Sequence, residues 1–300
     1  MKKLNQIAFL AAAVTASALL SLAQAPTGQA AVPQPVVAAT ASQFECSGFI
    51  SDDRIGRQIY VANGSDNDLY EATHQFKPGE YVYLKSHGAV SLQPGNEYSL
   101  VRADTAPLFQ VAWLPNALEN RIVPPASWYT YQAWHLKRLG QAYNNTGQVR
   151  VTRLTPEGAV AEVITACGDI NPGDLAIPFQ PQPIPTYVPS ATFDRFAPAN
   201  GKQQGLIVST PGDSPFLAKG DIAYLNLGQE AGVQPGQKFR VFTIFRDNLV
   251  QGWEQLRGVP KSPRETLGEI VVLSVQKKSS VAMVVKSLRE ITVGDGIELE

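Results

Sequence analysis

Apolar side chains recur at every second position through most of the chain. In Gln237-Lys238-Phe239-Arg240-Val241-Phe242-Thr243-Ile244, Phe239, Val241 and Thr243 fall on one face and Lys238, Arg240 and Phe242 on the other. Gly268-Glu269-Ile270-Val271-Val272-Leu273-Ser274-Val275 and Ser280-Val281-Ala282-Met283-Val284-Val285 are aliphatic and β-branched, and Gln276-Lys277-Lys278-Ser279 between them makes a hairpin. Thr155-Pro156-Glu157-Gly158 makes the corresponding turn earlier in the chain, with stronger turn chemistry. Pro94-Gly95 and Pro235-Gly236 suit the centre of a type II turn, proline setting φ and glycine accepting a positive one.

These patterns occur twice. Gly79-Glu80-Tyr81-Val82-Tyr83-Leu84 matches Gly220-Asp221-Ile222-Ala223-Tyr224-Leu225 at an offset of 141 residues. At the same offset Gln93-Pro94-Gly95 matches Gln234-Pro235-Gly236, Tyr98 matches Phe239 and Leu100 matches Val241. A second block, at an offset of 121, pairs Gly147-Gln148-Val149 with Gly268-Glu269-Ile270, Val160-Ala161 with Val281-Ala282, Ile170 with Ile291, and Gly173-Asp174 with Gly294-Asp295. Turn glycines and alternating apolar positions persist, and no catalytic side-chain set does, which argues for a binding or assembly module. Five or six short strands per copy predict an all-β chain of two tandem small barrels or sandwiches, with a loop or helix insertion in the first.

The segmentation follows. Residues 1–30 read as a secretory signal: Lys2 and Lys3, an apolar run from Ile7 to Leu22, then Ala23-Gln24-Ala25 and Gly28-Gln29-Ala30 as cleavage sites, of which the second is preferred because Pro26 follows the first. The alternative, an uncleaved anchor, is disfavoured by the shortness of the run, and no integral span is expected after cleavage. Residues 31–43 form a Pro/Ala/Val tether expected to be flexible or extended. The first β domain covers 44–178 with its insertion at 103–146, a Pro-rich linker covers 179–190, and the second β domain covers 191–300.

Losing the signal moves the formal net charge from −1 to −3, which gives no electrostatic case for nucleic acid or an anionic membrane. Cys46 and Cys167 bracket the first domain and read most simply as a disulfide in an oxidising compartment; a metal pair or a reactive thiol is the alternative, without His or Cys at zinc spacing to support it. Of His74, His87 and His135, none has ligand-spaced partners, so neither metal nor cofactor is expected. Ser86-His87-Gly88 resembles the His-Gly of cysteine transpeptidases of the cell wall. Ala166-Cys167-Gly168-Asp169 lacks the arginine they require, and the repeat sets His87 opposite Gly228, a turn position. Asp174 and Asp295 each open a last strand, where an Asx turn explains them.

The insertion is the feature that stands out. Trp113, Trp128 and Trp134 lie in it, three of the four tryptophans. Trp128, Tyr131, His135 and Leu139 share a helical face over Ser127–Gly140, with a strand on Trp128, Thr130 and Gln132 as the rival. Trp113, Trp128, Tyr131 and Trp134 are therefore the candidate ligand or partner surface, against the simpler reading of a local mini-core.

The second copy also resembles a known module. Tyr224-Leu225-Asn226-Leu227-Gly228-Gln229-Glu230-Ala231-Gly232-Val233-Gln234-Pro235-Gly236-Gln237-Lys238-Phe239 and Leu267-Gly268-Glu269-Ile270-Val271-Val272, continuing to Val293-Gly294-Asp295, resemble the C-terminal domain of the flagellar assembly protein T family. The first copy departs from it, with Lys85, His87 and Ser91 where Asn226, Gly228 and Gly232 stand. The resemblance implies a periplasmic, non-enzymatic β module of envelope assemblies. The α/β N-terminal domains of that flagellar protein have no counterpart here, so the expectation is an exported envelope scaffold that binds another envelope protein or itself. The alternative is a module that binds peptidoglycan or another polysaccharide through the insertion aromatics.

Overall fold

The computed structural model describes residues 33–64, 76–87, 91–104, 136–244 and 264–300. Before the first barrel come β1 (Val36–Val37), α1 (Ala41–Glu45) and β2 (Phe49–Ser51). The barrel itself uses β3 (Ile59–Gly64), β4 (Tyr81–Ser86), β5 (Glu97–Ala103), β6 (Gln141–Thr155), β7 (Gly158–Ala166) and β8 (Leu175–Pro178). After β9 (Thr186–Tyr187), the second barrel uses β10 (Gln204–Ser209), β12 (Ile222–Leu225), β13 (Lys238–Ile244), β14 (Arg264–Val275), β15 (Ser280–Ser287) and β17 (Gly296–Leu299). The short β11 (Phe216–Leu217) and β16 (Ile291–Thr292) pair with each other.

Both barrels close with the same neighbour order. The first runs β6-β5-β8-β3-β4-β7 and returns to β6, and the second runs β14-β13-β17-β10-β12-β15 and returns to β14. The register agrees residue by residue: Tyr83 faces Val160 as Tyr224 faces Val281, and Tyr98 faces Val149 as Phe239 faces Ile270. Bulges repeat too, between Leu100 and Val101 in one barrel and Val241 and Phe242 in the other. This bulge accounts for the imperfect alternation at Phe242, because one extra residue re-aims the side chains beyond it. The core pairs off likewise. Leu84, Leu100, Val149 and Ile170 fill the first barrel where Leu225, Val241, Ile270 and Ile291 fill the second.

Three turns hold each barrel, all built alike: Lys77–Glu80, Gln93–Asn96 and Asn171–Asp174 in the first, Ala218–Asp221, Gln234–Gln237 and Thr292–Asp295 in the second. In each, the fourth residue's N–H donates to the first residue's C=O at 3.0–3.2 Å. The third is a glycine with φ between 84° and 103°, a conformation that disfavours any Cβ. That glycine's N–H donates at 2.7–2.8 Å to the carbonyl of a buried valine or isoleucine across the barrel wall, and the same residue's N–H donates back to the turn's fourth carbonyl at 2.8–3.0 Å. The clamped residues are Val163, Val151 and Val61 in one barrel and Val284, Val272 and Ile207 in the other. The turns serve the pairs β4·β7, β5·β6 and β8·β3, which follow one another around the ring. Each barrel is thus three clamped strand pairs.

Two linking segments differ from their expected character. In the tether, Thr40 caps α1 in a full capping box with Gln43, and Ala38 and Ala39 are buried against Val271, Leu273 and Met283. In the Pro-rich linker, Thr186 and Tyr187 pair with Val37 and Val36. Both segments are therefore bound to the second barrel in part, through Ala38 and Ala39 of the tether and Ile184 and Tyr187 of the linker. The reason is on β14, whose Val271 and Leu273 point outward and need cover that Ala38, Ala39, Ile184 and Tyr187 supply. Residues 136–139 are helical and stop at Gly140, as the helix reading of the insertion expects; Ser127 to His135 lie outside the described residues.

Two glycine substitutions separate backbone strain from crowding. A Cβ at Gly95 meets nothing within 4 Å, while one at Gly236 would sit 2.9 Å from the Thr186 carbonyl oxygen. We expect Gly95→Ala to cost about 1–2 kcal/mol in urea titration, from φ alone. Gly236→Ala is expected to cost measurably more. Equal and negligible losses would remove the clamp from the account of stability.

Candidate functional site

The second barrel uses its outer face for docking. The segment Ser47–Asp52, which carries β2 and lies beside β6 (Ile50 facing Ala142), packs on β12 and β15. Ile50, Leu136, Leu139 and Ala142 on one side meet Val208, Tyr224 and Val281 on the other in one buried cluster. The Tyr224 hydroxyl donates to the Ser47 carbonyl at 3.1 Å, and the Ser279 hydroxyl donates to the Ile50 carbonyl at 2.8 Å. Asp52 faces Lys277 at 3.3 Å and Lys278 at 3.8 Å, and the carboxylate raises the Lys277 pKa above its ordinary value. Gly48 has φ 65° and leaves no room for a Cβ against the Tyr224 hydroxyl and the Tyr143 carbonyl, so the two barrels meet backbone to side chain there.

The disulfide fastens this joint. Cys46 and Cys167 are bonded across a separation of 121 residues. Cys46 caps the C-terminus of α1 and Cys167 follows β7, so the bridge ties the docked N-terminal segment to the first barrel. In the chain-entropy model such a loop closure is worth about 4–5 kcal/mol.

Among the described residues, nothing covers the same face of the first barrel. Tyr81 and Tyr83 stand where Ile222 and Tyr224 stand in the repeat, and are 42% and 40% exposed while Tyr224 is 1%. Val160 and Glu162, on β7, occupy the places of Val281 and Met283. Nearby on β3, Tyr60 stacks on His87 at 5.1 Å and carries the Arg57 guanidinium 4.1 Å from its ring centroid. His87 is an exposed residue stacked on a tyrosine, and Cys167 is bound in the disulfide, so the pair forms no nucleophile–base couple.

The recurring aspartates are structural. Asp174 accepts from the Asn171 N–H at 3.0 Å and Asp295 from the Thr292 N–H at 2.7 Å, so each carboxylate reaches back three residues instead of forward as an Asx turn would. Glu80 and Asp221 do the same for Lys77 and Ala218. Arg102 grips Asp174 through both carboxylate oxygens, and that bond raises the guanidinium's pKa. Thr243 stands at the equivalent place in the second barrel. There burial pushes the Asp295 carboxyl up, against hydrogen bonds from Thr292 and Thr243. Glu298 is fully buried; burial pushes its carboxyl up, and hydrogen bonds from Gln204, Arg264 and the Asn200 N–H, together with the Arg264 charge, outweigh that and hold it low.

Among the described residues, no group of three or more His, Cys, Asp or Glu side chains could hold a metal, and no helix is long and apolar enough to cross a membrane. Two clefts are shallow. One, of about 360 Å³, lies beside Cys46 and includes Asp221, already committed to its turn. The other, of about 460 Å³, is lined by Gln182, Gln229, Gln234, Pro235 and Val275 and carries no ionisable group. Trp113, Trp128, Tyr131 and Trp134 lie outside the described residues. Comparison with protein-family models and with curated proteins finds no match to the chain. The bare tyrosine face was missed by sequence reasoning, although the offset of 141 already aligned Tyr83 with Tyr224; what sequence lacks is the cover on one and not the other.

Burial predicts opposite outcomes for these two tyrosines. Tyr224→Ala should cost about 3–5 kcal/mol in denaturant titration, and Tyr83→Ala less than about 0.5 kcal/mol. Similar losses at both positions would contradict the bare face.

Proposed function

We propose that the chain is an exported, non-enzymatic scaffold of the cell envelope that works by docking protein on the outer faces of its barrels. The observation that supports this most is the covered face of the second barrel, where Tyr224, Val281 and Met283 bind a strand and loop of the chain itself. A closed barrel has no free strand edge, so recognition falls to its outer side chains. The disulfide favours an oxidising compartment such as the periplasm or the exterior, in line with the signal-like N-terminus. Resemblance of residues 191–300 to the flagellar assembly protein T C-terminal domain supports the envelope placement. The acidic side chains of the turns are occupied in holding the fold, which leaves them out of acid–base chemistry.

The competing reading, a polysaccharide binder using Trp113, Trp128, Tyr131 and Trp134, makes a different prediction in one assay. The purified mature protein is mixed with insoluble peptidoglycan and sedimented, and the supernatant is checked for released fragments. The scaffold reading expects the protein to stay in the supernatant with no turnover. Sedimentation abolished by Trp128→Ala, or any hydrolysis, would overturn it.

A further inference from the structure

Among the described residues, the repeat leaves one docking face uncovered and one aromatic knob exposed, on different barrels. In the first barrel the chain leading into β3 runs beside β6 and delivers Ile50, 1% exposed, to the covered face of the second barrel. In the second barrel the chain leading into β10 also comes beside β14, through one backbone bond in place of a strand pairing: the Thr266 N–H donates to the Arg195 carbonyl at 2.7 Å. Arg195 and Glu265, with Arg289, pin this lead-in through an ion pair, and the two hydrogen bonds hold the Glu265 carboxyl below its usual range. The turn it makes presents Phe196, 59% exposed, to solvent. A large aromatic held on an anchored turn differs from a side chain waving on a free loop, because little order remains to be lost on docking.

We infer that the chain associates head to tail with a second copy, the Phe196 turn of one copy docking on the Tyr81–Tyr83 face of the next. The inference rests on the scaffold reading and names its partner. It follows from continuity with the joint inside the chain: lead-in onto the outer face of the strands equivalent to β4 and β7 is the contact that already couples the first barrel to the second. Applying the same relation once more carries the second barrel onto the first barrel of another copy. Such a contact is heterologous, with different surfaces on its two sides, so it leaves a free face and a free knob at the ends of every open assembly. Paired exposed tyrosines suit such a surface. Glu162 stands where the covered face has Met283, and Arg150 and Thr152 stand where it has Val271 and Leu273. The intermolecular contact is therefore weaker than the internal one and belongs to the transient class, with Kd between about 1 μM and about 1 mM.

Sedimentation velocity of the mature, oxidised protein over a concentration series tests this. Wild type is expected to grow in mass with concentration beyond a dimer. Tyr83→Lys and Phe196→Lys each remove one of the two surfaces, so each alone is expected to stay monomeric, with Phe196→Ser behaving like Phe196→Lys. Mixed in equal amounts, the two lysine variants retain one good face and one good knob between them, and a dimer that grows no further is expected. A wild type that stays monomeric to about 1 mM overturns the inference, as does a variant that associates like wild type or a mixture that forms no dimer. A monomeric wild type leaves the scaffold reading standing with a different partner, whereas peptidoglycan binding removes that reading without touching the mass measurement. Unchanged urea midpoints confirm that the variants fold.

Discussion

The structure depends on a glycine N–H that reaches across the barrel wall. At six turns this donor and the carbonyl of the next residue clamp one buried valine or isoleucine, giving two backbone hydrogen bonds between a surface turn and a core strand. An unmade bond there would leave a buried amide unpaired, so the turn, the strand it opens and the clamped partner form or fail together. Positive φ is what aims the N–H inward, and glycine is the residue that takes it at least cost. In five of the six turns the side chain at the fourth position, acidic in four and an amide at Gln237, accepts from the first residue's N–H and closes the turn from the other side.

A clamp made of backbone leaves the outer face free to change. Inside, the two barrels remain alike, Leu84 with Leu225 and Ile170 with Ile291. Outside they diverge: Val271, Leu273 and Met283 make the outer face of β14 and β15 apolar where the N-terminal segment covers it, whereas Arg150, Thr152 and Glu162 stand at the same positions in the first barrel. Polar satisfaction diverges as well, with Arg102 holding Asp174 where Thr243 serves Asp295. Fold and docking surface are thus carried by separate sets of residues, which lets one barrel serve as receptor for its neighbour while the other keeps a face open.

Strand positions, the duplication, the hairpins at Pro156-Glu157 and Gln276–Ser279 and the Cys46–Cys167 bridge were all legible in the sequence, because alternation, turn chemistry and cysteine count are local signals. The threefold recurrence within each barrel was also written there, in Lys77-Pro78-Gly79-Glu80, Gln93-Pro94-Gly95-Asn96 and Asn171-Pro172-Gly173-Asp174. It is masked in the second barrel by Lys219 and Val293 in place of proline. The binding of residues 33–43 was not legible, since a Pro/Ala/Val tract looks alike whether free or laid on a barrel. Its signal was on the surface it covers: the unbroken apolar run Ile270-Val271-Val272-Leu273, too apolar for a strand with one wet face. The docking face escaped for the same reason. Tyr83 and Tyr224 are the same residue type in the same register, and only the contact made by Ser47 and Ile50 distinguishes them.

Native-state hydrogen exchange, resolved by residue, tests the shared clamp most directly. The amides of Gly79, Gly95, Gly173, Gly220, Gly236 and Gly294 sit in surface turns, where exchange is ordinarily fast, yet each is bonded to a core carbonyl. The account predicts that all six exchange as slowly as the amides of the valines and isoleucines they clamp, within each barrel as one set. Turn glycines exchanging at the rate of ordinary loops, while the core strands stay protected, would contradict it.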